Sequence, residues 1–243
     1  MPVSAAKALG GLLVLGVVAA GGLYVGDHYA ESRAEEYAVG VVSQSISTTS
    51  APVVDIKGFP FLTQFLSGTL DQVTATAAGA TLEGVPVTDV TIDATRVNVR
   101  PPAGQQPSAG RATVVATIPT ASLEKLVKDR TNLTVQLAVD GSTVKASGNV
   151  LGLPMVLTLA PRVDTGGTLL VDAQDLTLGG RQITPESLPG AIRDRVKDIK
   201  IPLEGLPSGL ALSRVEVVPS GLRITADGTN VVVPQTAAST GGA

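Results

Sequence analysis

Ser122-Leu123-Glu124-Lys125 has the Ser-x-x-Lys spacing at which a lysine, one helical turn beyond a serine, can take the hydroxyl proton and create a nucleophile. The pattern stands alone. Neither a Ser-Asp-Asn nor a Lys-Thr-Gly partner accompanies it, and the chain has no Gly-x-Ser-x-Gly elbow, no phosphate-binding Gly-x-x-x-x-Gly-Lys and no His-Glu-x-x-His. His28 is the single imidazole and there is no Cys, which removes thiol catalysis, Cys-based zinc sites, disulfides and the lipid-modified cysteine of a lipoprotein. Asp172 and Asp175 could touch a cation, but a calcium loop needs more oxygen ligands at closer spacing, so they are expected to be solvent-facing loop acids. No catalytic residue, metal ligand set or cofactor follows from these residues. The expectation is a protein that is not an enzyme.

The composition points to another use of the chain. Of 243 residues 44% are hydrophobic and only 2% aromatic, so the apolar content is aliphatic side chains and Ala, a lining suited to acyl chains rather than to stacked bases or sugars. The 18 basic and 21 acidic residues leave a net charge of −3, without the basic footprint that nucleic-acid binding requires.

Ala8 to Gly26, about 19 residues, carries no charge, is preceded by Lys7 and is followed by Asp27, Glu31, Glu35 and Glu36. This is an export pattern that places the amino terminus in the cytoplasm and the rest outside. The run is just long enough to span a bilayer as a retained anchor, while Ala19-Ala20-Gly21 also resembles a cleavage site, and both readings stand. Residues 1–26 are read as anchor or signal peptide, 27–233 as one domain and 234–243 as a disordered tail. The protein is expected in the cell envelope, on the outer side of the cytoplasmic membrane.

Behind the apolar run, Ala30, Ala34, Tyr37 and Val41 have helical spacing, ending near Ser45 in a Ser/Thr cluster. From Pro52 the period becomes two. Leu133, Val135, Leu137 and Val139 lead through Asp140-Gly141 into Val144, Ala146 and Val150 as a hairpin, and further strands are expected at 156–163, 168–171, 176–183, 212–218 and 222–226. Between Val85 and Val99 the apolar phase slips twice, near Thr88-Asp89 and Thr95-Arg96, which predicts bulges and a curved sheet. Thr120 opens a short helix with Leu123, Leu126 and Val127 inward. Pro185 opens a longer one whose stripe of Leu188, Ile192, Val196 and Ile199 is expected to face the ligand. Residues 101–110 read as an exposed loop.

All three Phe lie in Gly58-Phe59-Pro60-Phe61-Leu62-Thr63-Gln64-Phe65-Leu66, and no aromatic follows. Two readings are open. The segment plugs one end of the core, or Phe59, Phe61, Leu62, Phe65 and Leu66 form an apolar rim that guards a lipid-sized cavity or dips into a membrane surface. On the rim reading, Pro60 presents Phe61 and Leu62 at a loop tip, with Phe59 and Phe65 as the wall beneath.

Gly58-Phe59-Pro60-Phe61-Leu62-Thr63-Gln64, followed by Gly68 and alternating Thr/Val strands, resembles the signature of the LmeA-like phospholipid-binding proteins of the actinobacterial cell envelope. The likeness runs from about Ala30 to Val233 and includes Gly205-Leu206-Pro207 and the Val215 to Ile224 hairpin. It implies an α+β fold in which a curved antiparallel sheet wraps a long helix, like the tubular lipid-binding proteins related to bactericidal/permeability-increasing protein. It also implies phospholipid and a membrane surface as partners, and a link to lipoglycan growth beside envelope glycosyltransferases. The combined expectation is an exported protein that holds phospholipid acyl chains in an apolar cavity. Its rivals are an interaction module that organises envelope enzymes with a filled core, and an esterase or transferase acting on envelope lipids through Ser122 or an acidic pair in the cavity.

Overall fold

The computed structural model describes residues 26–36, 39, 47–48, 51–82, 85–103, 105–131, 134–150, 152–184, 199–201, 206 and 208–232. The expected anchor up to Val25, the stripe residues Leu188, Ile192 and Val196, and the tail fall outside them. Among the described residues no helix is long and apolar enough to cross a membrane.

Helix α1 covers 26–36. The short β1 (Ser47–Thr48) and β2 (Val53–Lys57) both pair with the long β3 (Thr69–Leu82), and α2 (Phe61–Ser67) lies between β2 and β3 in the chain. β4 (Val85–Asn98) and β5 (Ser108–Pro119) extend this sheet, and β13 (Gly221–Val232) with β12 (Leu210–Val218) closes its far side, giving seven antiparallel strands in the order β1-β3-β4-β5-β13-β12, with β2 also on β3. After α3 (Thr120–Thr131), β6 (Val135–Asp140), β7 (Thr143–Val150), β8 (Leu153–Val163), β9 (Leu169–Leu178) and β10 (Arg181–Ile183) form a second antiparallel meander. Its strand β9 is also joined by β11 (Ile199–Ile201), which makes six strands.

Alternation sets the two faces of each sheet. In the first, the cross-strand row Ala75-Ile92-Val114-Ala226-Leu212 is apolar, while the adjacent row Thr74-Asp93-Thr113-Asp227 is polar. Two residues interrupt this pattern where the sequence slips phase. Asp89 and Arg96 both have φ of 52°, and the β4–β5 register shifts between Thr88 and Thr91. The slips keep apolar residues on one side: Val87 and Val90 share a cluster with Ala80, Ala116 and Ile118, and Ala94 packs with Val97 around Ala109, Ala112 and Val231. Without them, period-two geometry would turn one member of each pair to water.

The sheets are open, and the described helices are short, α3 being the longest at 12 residues. The long wrapped helix of the expected tubular fold is not seen among the described residues. Instead α3 bridges the sheets: Leu123 packs against the Ala80–Ile118 cluster, and the Glu124 carboxylate accepts the Leu137 amide of edge strand β6 at 2.7 Å. The β8–β9 turn seats Gly167 against Ala211 and Leu212, where an added Cβ would fall 3.1 Å from the Leu212 carbonyl.

Further sequence expectations change, and the strand expected at 176–183 breaks at the Gly179-Gly180 turn between β9 and β10. Ile199 is not the end of a helical stripe; it starts β11 and pairs with Val171, because Ile199-Lys200-Ile201 also alternates and the buried Leu169-Leu170-Val171 run offers strand partners. The loop after β4 ends before Ser108, since Ala109 is 2% exposed in the Val231 cluster. Asp172 and Asp175 lie on β9, not in a loop, and Asp172 meets Arg162 at 2.7 Å.

Candidate functional site

Among the described residues two regions gather several apolar side chains that are not fully buried. The first is one face of the second sheet. The rows Val135-Gly148-Met155-Leu178, Leu137-Ala146-Leu157-Leu176 and Val139-Val144-Leu159-Ala173 are aligned by register, whereas the opposite face carries rows such as Ala138-Lys145-Thr158-Asp175. A covered core face would bury all of these apolar rows. Here Val144 and Ala146 are buried, but Leu137, Leu157, Leu159, Leu176 and Leu178 remain half-buried. The face is a stripe of aliphatic side chains, with no aromatic among them.

The second region is the aromatic segment, which the fold pins from two directions. Asp27, Glu31 and Glu35 recur every fourth residue on α1, on the side from which Ala30 and Ala34 pack against Ile56, Phe61 and Leu70. The Asp27 carboxylate, 3% exposed, accepts the Phe61 and Leu62 amides, each at 2.6 Å, and so caps α2 from another helix. Glu35 accepts the Ile56 amide at 2.9 Å. At its other end α2 stops at Gly68, whose φ of 79° puts its amide on the Gln64 and Phe65 carbonyls. Gln64, 8% exposed, accepts the Asp71 amide at 2.7 Å and lies against Gly58, where a Cβ would come 2.5 Å from Gln64 Nε2. Gly58, at φ 109°, is therefore required by both backbone and space.

This cap inverts the expected rim. Pro60 precedes a helix rather than a loop tip, so Phe61, its first residue, turns into the core at 3% exposure and is not a rim residue. Outward lie Leu66 at 73%, Phe59 at 66%, Phe65 at 39% and Leu62 at 37%. Phe65 stacks on Phe61 with centroids 5.8 Å apart, and the Arg100 guanidinium lies over the Phe65 ring, 4.4 Å from its centroid. Phe61 fills the core, and Phe59, Leu62, Phe65 and Leu66 are exposed. The Asp27-Glu31-Glu35 spacing carries the signal for the cap, and the same acids also read as the charge that flanks the apolar run. Arg100 left no signal, because it meets Phe65 through the sheet register.

A cleft of about 340 Å³ is lined by Asp27, His28, Glu31, Gly58 and Phe59. Its carboxylates make it a polar recess beside the aromatic segment, not a host for an alkyl chain. Ser122 is buried on α3, and the Lys125 ammonium lies 2.7 Å from Asp129, drawn to a surface pair. Among the described residues no three His, Asp or Glu side chains stand close enough to hold a metal ion.

The described residues thus form two antiparallel sheets, with a half-buried aliphatic face on the second and an outward apolar helix, α2, beside the first. Residues 25–227 match the LmeA-like phospholipid-binding family, and the chain belongs to it. The match begins beside α1 and ends in β13, so it takes in both sheets and the capped aromatic segment. No curated protein and no solved structure matches the chain.

Proposed function

We propose that this protein is an exported phospholipid carrier of the cell envelope. It holds acyl chains against the half-buried aliphatic face of the second sheet and makes or breaks no covalent bond. The observation that carries this reading is the register-aligned Leu137-Ala146-Leu157-Leu176 row and its neighbours, whose leucines stay half-buried where a filled core would close over them. Each CH₂ removed from water contributes about 0.8 kcal/mol, so partial burial of two chains holds a lipid against water while leaving a small difference against a bilayer. That balance suits loading and release. Phe59, Leu62, Phe65 and Leu66 form the rim, with Phe61 as the buried peg beneath. The uncharged Ala8 to Gly26 run with Lys7 before it supports export and residence on the outer side of the cytoplasmic membrane. A carrier there would serve lipoglycan assembly beside envelope glycosyltransferases.

The test is extraction. The full chain, reconstituted and mixed with labelled donor vesicles, should move intact phospholipid to acceptor vesicles in proportion to protein, without hydrolysis. Lipid products that vanish in Ser122→Ala would replace the carrier by an enzyme.

A further inference from the structure

We propose that the outward face of α2 is a docking surface for an anionic phospholipid bilayer, with Leu62, Phe65 and Leu66 entering the acyl boundary and Arg100 taking a lipid phosphate. The inference deepens the carrier reading and rests on it. α2 reads Phe-Leu-Thr-Gln-Phe-Leu-Ser and has no charge of its own. Leu62, Phe65 and Leu66 are spaced i, i+3, i+4 and share the side turned away from Ile56 and Leu70.

A cation stands at the Phe65 end of this face, while the Asp27 and Glu31 carboxylates lie at the Phe59 end. Arg100 is exposed, its guanidinium lies 4.4 Å from the Phe65 centroid, and among the described residues it enters no ion pair. Gly68 keeps that position open, since a Cβ there would come 3.0 Å from Arg100 Cβ. A planar cation on an aromatic ring at the edge of an apolar patch matches a phosphate layer above acyl chains.

Chain direction gives the second argument. The uncharged run ends at Gly26, and the next residue, Asp27, holds the Phe61 and Leu62 amides. Gly26, where the run ends, and the start of α2 therefore lie at the same end of the domain, so a bilayer that holds the run lies against the α2 face. Four outward apolar side chains are far fewer than the roughly 20–30 residues a side of a protein interface.

The chain contains no Trp, so Leu66→Trp installs a sole indole on the full-length protein. Reconstituted into vesicles whose acyl chains are brominated, this indole should emit to the blue and be quenched, more so as phosphatidylglycerol replaces phosphatidylcholine. Arg100→Ala should raise the phosphatidylglycerol content needed for half-maximal quenching about fivefold, and Arg100→Lys should restore most of it. Phe59→Trp serves as a second reporter if the melting curve shows Leu66→Trp misfolded. Quenching that ignores head-group charge and Arg100 overturns the proposal. So does an indole shielded from iodide but untouched by bromine, which means that residues 1–25 cover the patch. Lipid uptake is weighed on the same samples. Uptake with an unquenched indole defeats the docking surface alone, and quenching without uptake defeats the carrier reading alone.

Discussion

Asp27 is the residue whose replacement should reveal how the aromatic segment is held. Its carboxylate is the acceptor for two α2 amides, the Phe61 one buried and the Leu62 one half-buried. Asp27→Ala removes both acceptors without changing any residue of the segment itself. A buried donor left without a partner costs about 1–3 kcal/mol; the upper part of that range for Phe61 and the lower part for Leu62 sum to roughly 3 kcal/mol. For a domain of this size each kcal/mol moves the melting temperature by about 2–4 °C, so the variant should melt roughly 6–12 °C below the parent. Asp27→Asn retains one carbonyl acceptor and should lose about half as much. His28→Ala, at an exposed neighbour, should stay within about 0.5 kcal/mol of the parent. Thermal unfolding by circular dichroism reads these values. Hydrogen exchange locates them, since the Phe61 and Leu62 amides should lose protection while the β5 amides keep theirs. An Asp27→Ala protein that melts with the parent, or that exchanges uniformly faster, refutes the cap.

The division of the Phe segment gives a paired test. Phe61→Ala should cost roughly 3–5 kcal/mol because its ring fills the Ile56 and Leu70 cluster, whereas Leu66→Ser should melt with the parent yet slow lipid uptake from vesicles. Equal losses of stability in the two variants would erase the distinction between peg and rim. On the polar face of the first sheet, hydrogen bonds from Ser213 and then from Thr113 hold the Asp227 carboxyl below its ordinary 3.8. A depressed folded value gives stability that is present above the ordinary one and lost as pH falls through the folded one, so Ser213→Ala should be the less stable protein at neutral pH and the two should converge in acid. Parallel stability curves across that window would show that the pair carries no such linkage.

How much of this was legible depends on whether the deciding partner was local. The β6–β7 hairpin follows from alternation around Asp140-Gly141, and the left-handed residues Asp89 and Arg96 from phase slips, because each is a short-range pattern that one buried face must obey; the β4 register shifts only at Asp89, so the second expected bulge, at Arg96, is absent. At Ile199 three residues of alternation compete with a longer 3.6-residue stripe, and pairing to β9, which no local pattern announces, decides between them. The aromatic segment stands out by its composition alone, but which ring faces inward depends on Asp27, 34 residues away in the chain. No spacing rule reaches that far. Arg100 and Phe65 meet for the same reason: Thr69 pairs with Asn98, and that register carries both residues to one edge.

Native mass spectrometry of the full chain released from its own membranes shows whether the aliphatic face of the second sheet holds phospholipid. The protein should emerge with the added mass of a phospholipid. Leu157→Asn, which places an amide in the middle of the Leu137-Ala146-Leu157-Leu176 row, should emerge without it while still folded. A folded parent that carries no lipid and takes none from vesicles, or a Leu157→Asn protein that keeps the same adduct, would contradict such binding.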